Sequence, residues 1–362
     1  MRINNINLLD SPSLILVEET MLRNIHSMKA LVDGDTSDLR PHVKANKTTE
    51  VCQAMMKEGI TKFKCDTIAE AEMLVQAGAR DVLLACQPVG PKIGRLLNLV
   101  KAFPGCRFAC LVDSIAGAEA LNAVFAVAKL ELNLYIDVNV GMNWAGVSPS
   151  KAGELAKAIL SLKNLHLVGV NGYDGHIIDK NMSARTKAAD KSFDELDRAY
   201  EAAKTWADYP LVRIMGGTVT FPIHLTRKNV ECSPGTFLFW DWGNKRLSPN
   251  LPFEYAAFLV SRVISVVDKK HICVDLGYKS VASYMPMPRV HFLNLPDAKH
   301  IAHSGEHLLL EVADSSKYPL GTVFYGVPED IAATVALYDK MYVVRNSEIA
   351  TFWKITARNR EI

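Results

Sequence analysis

No run of apolar residues approaches the ~20 needed to span a bilayer. The opening stretch MRINNINLLDSPSLILVEE lacks the charged, apolar and small-residue zones of a secretion signal. An excess of one charge is missing too: 41 Lys and Arg stand against 39 Asp and Glu, a formal +2. That balance leaves no footprint for nucleic acid or for an anionic membrane. Seven cysteines, at 52, 65, 86, 106, 110, 232 and 273, form no CxxC pair; they read as reduced, mostly buried thiols and point to the cytoplasm. With 49% hydrophobic and 22% charged residues, the chain has the composition of a soluble globular protein and not of a disordered one.

At ~150 residues per domain, 362 residues make about two domains. Short apolar runs at 42–45, 63–65, 82–85, 108–112, 134–138, 167–170, 212–215 and 230–232 read as strands. Stretches with helical spacing, such as 48–59, 69–77, 115–128 and 150–161, lie between them. Alternation of this kind makes parallel β/α units, and eight strands is the number that closes a (β/α)8 barrel. No GxGxxG follows the first strand, which argues against a doubly wound open sheet. Past residue 240 the texture changes to strand-like runs at 258–267, 271–276, 307–312, 322–325, 341–344 and 352–357 with few helical stretches. This predicts an α/β chain: a TIM-like barrel over 18–240, then a mostly antiparallel β domain over 241–362, joined by a spare strand within 1–17.

Catalytic groups of such barrels sit at the C-terminal ends of the strands. The segment Arg40-Pro41-His42-Val43-Lys44-Ala45-Asn46-Lys47 puts a lysine in an early strand just before a polar loop. A lysine pointing into a barrel must neutralise, pair or bond covalently. Two readings stand on spacing alone: a Schiff-base lysine that condenses with an aldehyde cofactor, or an outward-facing lysine at a strand end. His42 reads either as a group supporting Lys44 or as packing. Met215-Gly216-Gly217-Thr218-Val219-Thr220 and Ser233-Pro234-Gly235-Thr236 follow successive strands. Their glycines allow close backbone approach to a phosphate, and their hydroxyls add donors. Either loop alone is equally a simple turn.

The string RPHVKANKT resembles the lysine motif of the D-threonine aldolase and D-serine dehydratase-like family, a branch of the fold-type III (alanine racemase fold) pyridoxal phosphate enzymes. The resemblance runs from about Ser11 to Arg358. It implies a cofactor-binding barrel followed by a β domain, with the N-terminal strand packed into the latter. It implies pyridoxal 5'-phosphate bound through Lys44, and a phosphate cup of Gly217, Thr218, Gly235 and Thr236. Gly172-Tyr173-Asp174-Gly175-His176 is similar to the family's YDGH stretch, which makes Tyr173 a cofactor contact and His176 a catalytic group near the substrate. A homodimer and a small amino acid substrate are implied in the same way, with no nucleic-acid or membrane partner.

Two departures qualify the likeness. Where the family places metal ligands as His-x-Cys or His-x-Asp, this chain has Asp330 and Ala332. An alanine cannot ligate, and one carboxylate is a poor site, so no metal ligand is expected there. His300, His303 and His307, with Glu306, are either a rebuilt metal site or inherited structure. The family's arginine near the cofactor is replaced by Trp144, in Gly141-Met142-Asn143-Trp144-Ala145-Gly146-Val147. The resemblance implies a lyase acting on a β-hydroxy D-amino acid by retro-aldol Cα–Cβ cleavage. The alternatives are a D-serine dehydratase-like enzyme, an amino acid racemase or epimerase, and a non-catalytic cofactor carrier.

Overall fold

The computed structural model describes residues 2–361 and divides into two compact units. One takes 2–28, Ala45–Glu50 and Thr236–Arg358; the other takes Lys29–Lys44, Val51–Gly235 and 359–361.

The second unit is the barrel. Seven parallel strands follow one another in chain order: Lys62–Cys65, Asp81–Leu84, Arg107–Val112, Leu132–Val138, Leu165–Gly172, Val212–Ile214 and Val230–Glu231. The expected first strand at 42–45 is not one. Leu39 and His42 form only isolated parallel bridges, to Cys232 and Lys64. The bonds Arg40 N–H to Cys232 O (2.8 Å) and Lys64 N–H to Pro41 O (2.9 Å) close the ring. Pro41 has no N–H to give to a ladder. The next residues, Val43–Ala45, coil into a 3-10 turn in which the Lys44 N–H goes to the His42 ring at 3.2 Å. A side chain that captures a backbone donor in this way competes with strand pairing.

Helices between the strands begin where side chains replace missing backbone acceptors. Thr67 and Glu70 form a reciprocal capping box for Ile68–Ala77, which Gly78 ends at φ 108°. Ser114 caps Ile115–Ala128, and Asn181 caps the long helix Met182–Lys204. Inside the barrel, Leu83, Ala109, Leu111, Tyr135, Val168 and Ile214 form a buried apolar layer. Arg40, 1% exposed, bonds to Glu231 (2.7 Å) and Asp81 (2.6 Å) in the same interior.

The other unit is a nine-stranded sheet. Its central path runs Lys299–His303, Leu308–Glu311, His271–Val274, Ala257–Val266, Ser13–Val17, Lys340–Arg345 and Glu348–Lys354, with Val323–Pro328 and Val290–Phe292 attached through Ala257–Val266. Ser13–Val17 is the spare N-terminal strand, antiparallel to Ala257–Val266 and parallel to Lys340–Arg345. Ile15, Phe258, Val260, Val327 and Val344 pack its core. Val290–Phe292 and Lys299–His303 escape the sequence reading: one is three residues long, the other is KHIAH, largely exposed and without an apolar alternation. The seven cysteines form no disulfide. Among the described residues no helix is long and apolar enough to cross a membrane.

Candidate functional site

Lys44 sits in the turn Val43–Ala45, at the end of the segment that closes the barrel. His42 fixes that turn. Its Nδ1 accepts the Lys44 N–H, so its proton resides on Nε2 and is donated to Asp66 Oδ1 at 3.0 Å. Burial lowers the pKa of His42 against the pull of Asp66, which suits the neutral ring that an accepting Nδ1 requires. Burial works against an ionised Asp66, but the His42 N–H and the ammonium groups of Lys44 and Lys64 outweigh it and hold the carboxyl below its ordinary range.

Tyr173 follows the strand Leu165–Gly172 and turns its ring toward this lysine, with Lys44 Nζ 5.2 Å from the ring centroid. Trp144 lies across the same ring, centroids 6.5 Å apart and planes 11° from parallel, while remaining 71% exposed. A Cβ at Gly217 would stand 3.0 Å from Tyr173 Cε2, so the glycine loop passes close beside the tyrosine edge and a larger residue there would crowd the ring.

The two glycine loops lie against each other. Gly235 N–H donates to Thr218 Oγ1 at 3.1 Å, and a Cβ on Gly235 would sit 2.5 Å from the His42 carbonyl oxygen. Gly216 takes φ 91°, with a Cβ position 2.8 Å from the His224 ring. The turn is fastened from below by groups that sequence reasoning did not select. Gly217 N–H donates to Thr220 Oγ1 (3.2 Å), and Thr220 donates to Asp174 Oδ1 (2.7 Å). His224 Nε2 meets Asp174 Oδ2 at 2.8 Å, and its Nδ1 accepts from Arg227 (3.3 Å). Asp174 and Thr220 are 1% and 2% exposed, and His224 is fully buried. Asp174 stands inside the quoted YDGH string, and its place there beside Gly175 was the signal the sequence offered. Beside Gly235, the buried Ser233 hydroxyl has no hydrogen-bond partner. An unused donor next to two glycine loops is what a phosphate-binding cup provides.

Lys44, Tyr173, Gly217, Thr218 and Gly235 are thus brought together. Thr236, next in the chain, falls in the other unit. Among the described residues His176 makes no hydrogen bond or ring contact to this group. It lines a cavity of about 560 Å³ with Asn139, Gly141, Asn143, Lys191 and Glu195. Gly141, at φ 119°, makes room for the ring, since a Cβ there would stand 3.0 Å from His176 Nε2. One loop, 141–147, therefore touches His176 at one end and Tyr173 through Trp144.

In the β unit, Asp330 caps the short helix Ile331–Val335 through Ala333 N–H (3.1 Å), and its other oxygen accepts the Tyr284 hydroxyl. Both oxygens are thereby committed. His303 Nε2 bonds to the Leu276 carbonyl at 2.9 Å, and its Nδ1 lies 3.3 Å from Arg289. Among the described residues no three His, Cys, Asp or Glu side chains are gathered as a metal would need.

The chain is 25% identical to the D-threonine aldolase of Arthrobacter sp. over 356 residues, covering 96% of this chain and 93% of the relative. It is 26% identical to the 3-hydroxy-D-aspartate aldolase of Paracoccus denitrificans, covering 97% and 93%. The crystal structure of D-threonine aldolase from Filomicrobium marinum matches with a TM-score of 0.89 at 26% identity, over 98% of this chain and 97% of that one. The D-threo-3-hydroxyaspartate dehydratase of Delftia sp. HT23, 24% identical over 96% and 97%, shares the fold with a TM-score of 0.80. Residues 256–344 match a family described as "Putative serine dehydratase domain". Residues 18–241 match the family described as "Alanine racemase, N-terminal domain", and the chain belongs to that family.

Proposed function

We propose that the protein is a pyridoxal phosphate-dependent lyase that cleaves the Cα–Cβ bond of a β-hydroxy D-amino acid, in the manner of the D-threonine and 3-hydroxy-D-aspartate aldolases it resembles. The observation that carries this reading is Lys44 Nζ over the Tyr173 ring, beside two apposed glycine loops. The cofactor, when bound, supplies an aldehyde for a lysine amine and a ring that accepts the electron pair released at Cα. Lys44 is the amine. The Tyr173 ring gives a flat face beside it, and Gly217, Thr218, Gly235 and Thr236, with the Ser233 hydroxyl, hold the phosphate. His176, at the far end of the loop that carries Trp144, is assigned the proton transfer at the substrate hydroxyl. The barrel domain over 18–240 holds this chemistry, and the β domain with the N-terminal strand completes the chain.

We infer further that residues 328–335 hold no divalent metal. Asp330 spends both oxygens on Ala333 and Tyr284, and Ala332 offers no donor atom. The substrate hydroxyl is then left to protein groups. The unbridged thiols suit a cytoplasmic setting, and the resemblance favours a homodimer.

Borohydride reduction in the presence of pyridoxal phosphate, followed by peptide mass spectrometry, is the test. A phosphopyridoxyl group on Lys44, with D-threonine converted to glycine and acetaldehyde, supports the reading. Ammonia release instead indicates a dehydratase, and scrambling of configuration without net loss indicates a racemase. Absence of any adduct on Lys44 overturns the proposal.

A further inference from the structure

The barrel interior holds an ammonium with fewer partners than it has hydrogens. Lys64, third in the strand Lys62–Cys65, is 4% exposed, and its Nζ donates to Asn171 Oδ1 at 2.7 Å. Among the described residues no second acceptor lies within hydrogen-bond distance of this Nζ, which leaves two of an ammonium's three donors without a protein oxygen. Arg40, buried in the same interior, is by contrast bonded to both Glu231 and Asp81. Asp137 serves Lys64 only through Asn171, whose Nδ2 donates to Asp137 Oδ1 at 2.8 Å and so turns the amide oxygen toward the lysine. A buried cation with unmade donors is costly. At the C-terminal ends of barrel strands, where such folds place their chemistry, it points to an anion supplied by a ligand.

Two links fix where this ammonium lies. Its strand runs beside the closing segment: Lys64 N–H donates to Pro41 O (2.9 Å), and His42, two residues before Lys44, forms a parallel bridge to Lys64. Its Nζ then crosses the interior to Asn171, two residues before Tyr173, whose ring centroid is 5.2 Å from Lys44 Nζ. Two residues of extended chain span roughly 7 Å. Lys44 and Lys64 thus set out from neighbouring segments and end on nearby residues of a third. The phosphate is assigned to the glycine loops that follow Val212–Ile214 and Val230–Glu231. Lys64 ends instead on Leu165–Gly172, the strand that leads into Tyr173. Trp144, stacked on Tyr173, brings no charge there.

Pyridoxal phosphate carries a phenolic oxygen on the ring atom next to its aldehyde carbon, so the carbon taken by Lys44 brings an ionisable oxygen with it. We propose that the Lys64 ammonium donates a hydrogen bond to this oxygen and holds it ionised. An N–H to oxyanion bond uses one of the unmade donors and offsets the buried charge. Asn171, oriented by Asp137, keeps the ammonium in place. The inference rests on reading Lys44 as the amine that takes the cofactor.

The test compares pyridoxal phosphate with its 3-deoxy analogue, which lacks only that oxygen, on full-length wild type and Lys64→Met. Dissociation constants come from absorbance titration, and borohydride reduction with peptide mass spectrometry checks that each compound reaches Lys44. Removing the oxygen should weaken binding to wild type about tenfold more than binding to Lys64→Met, the share of one charge-assisted hydrogen bond. Both compounds meet the same protein in each comparison, so a general loosening of the barrel cancels. Equal losses in the two proteins overturn the proposal, since the ammonium then serves another group. Should Lys64→Met not fold, the wild-type spectrum decides. Pyridoxal phosphate on Lys44 should show the long-wavelength band of the ionised oxygen at pH 7, and the near-ultraviolet band of the neutral oxygen overturns the proposal. Equal losses with an adduct on Lys44 leave the proposed function standing, whereas no adduct from pyridoxal phosphate removes both.

Discussion

Asp174 and His224 face each other at 2.8 Å with both side chains wholly buried, and between them they fasten the turn that carries Gly216 and Gly217. Neither side chain reaches solvent. Their contact converts a flexible glycine pair into a fixed one, since Thr220 passes the restraint from Asp174 to the Gly217 N–H.

Replacing Asp174 with Asn leaves shape and volume nearly intact but turns an amide N–H toward either Thr220 or His224, each of which already donates. A buried donor left unmade costs about 1–3 kcal/mol, and here the cost falls on the loop. The expected outcome is roughly tenfold weaker pyridoxal phosphate binding, with a modest fall in melting temperature, measured by absorbance titration and by thermal melts. Unchanged affinity would show that the loop holds its shape without the buried pair.

Gly235→Ala tests the other loop. The added methyl would arrive 2.5 Å from the His42 carbonyl oxygen, a backbone atom that cannot swing aside as a side chain can. Overpacking of this kind costs about 1–3 kcal/mol, and relief requires moving the segment that carries Lys44. Lower urea stability together with loss of the Lys44 adduct after borohydride is expected. A variant as stable as wild type would mean that the loops part more easily than the Gly235–Thr218 bond suggests.

Much of this arrangement was legible in the sequence, and the reasons differ by residue. The strands from 63 to 232 announce themselves because a parallel sheet covered on both faces reads as short, nearly continuous apolar runs. Lys44 and the two Gly-Thr loops stand out because each lies at the end of such a run, whereas Tyr173 and His176 entered through the resemblance of the YDGH string alone. The closing segment was misread as a strand because Val43 and Ala45 flank Lys44 with strand-like residues, while the decisive contact, His42 Nδ1 to the Lys44 N–H, leaves no trace in spacing. Lys64, Asp137 and Asn171 were invisible for a similar reason. Asp137 and Asn171 pair in register on adjacent strands, while Lys64 Nζ donates to Asn171 Oδ1 from a strand 107 positions earlier in the chain.

Trp144 is a candidate-site side chain largely open to solvent, 71% exposed and close to parallel with Tyr173. An exposed residue contributes little to folding, so Trp144→Ala should leave stability within about 0.5 kcal/mol of wild type. If the Tyr173 face lies beside the cofactor, indole emission should drop when pyridoxal phosphate is added to wild type and should change far less in the variant. Equal fluorescence responses in the two proteins would place the indole away from the bound ring.

The β unit carries a pH dependence of its own. Asp241, 2% exposed, accepts the N–H of Asn244 (2.8 Å) and of Ile331 (3.1 Å), tying together the starts of the helices Trp242–Leu247 and Ile331–Val335. Burial pushes its pKa up to about 7, more than those hydrogen bonds pull it down, with Asp330 adding a like charge. In the unfolded chain the same carboxyl titrates near its ordinary value of about 3.9. Between these values the folded state holds a proton that the unfolded state has lost, so stability falls as pH rises through this window and levels off above about 7. The slope contributed by one such group approaches 1.4 kcal/mol per pH unit. Asp241→Asn still offers an oxygen to cap Asn244 but cannot ionise, and its urea stability should therefore fall less than that of wild type between pH 5 and 7. The two curves should converge in slope above pH 8, where Asp241 is ionised in both states. Parallel profiles across the whole range would assign the pH dependence to other groups and leave Asp241 ionised in the folded protein at pH 5.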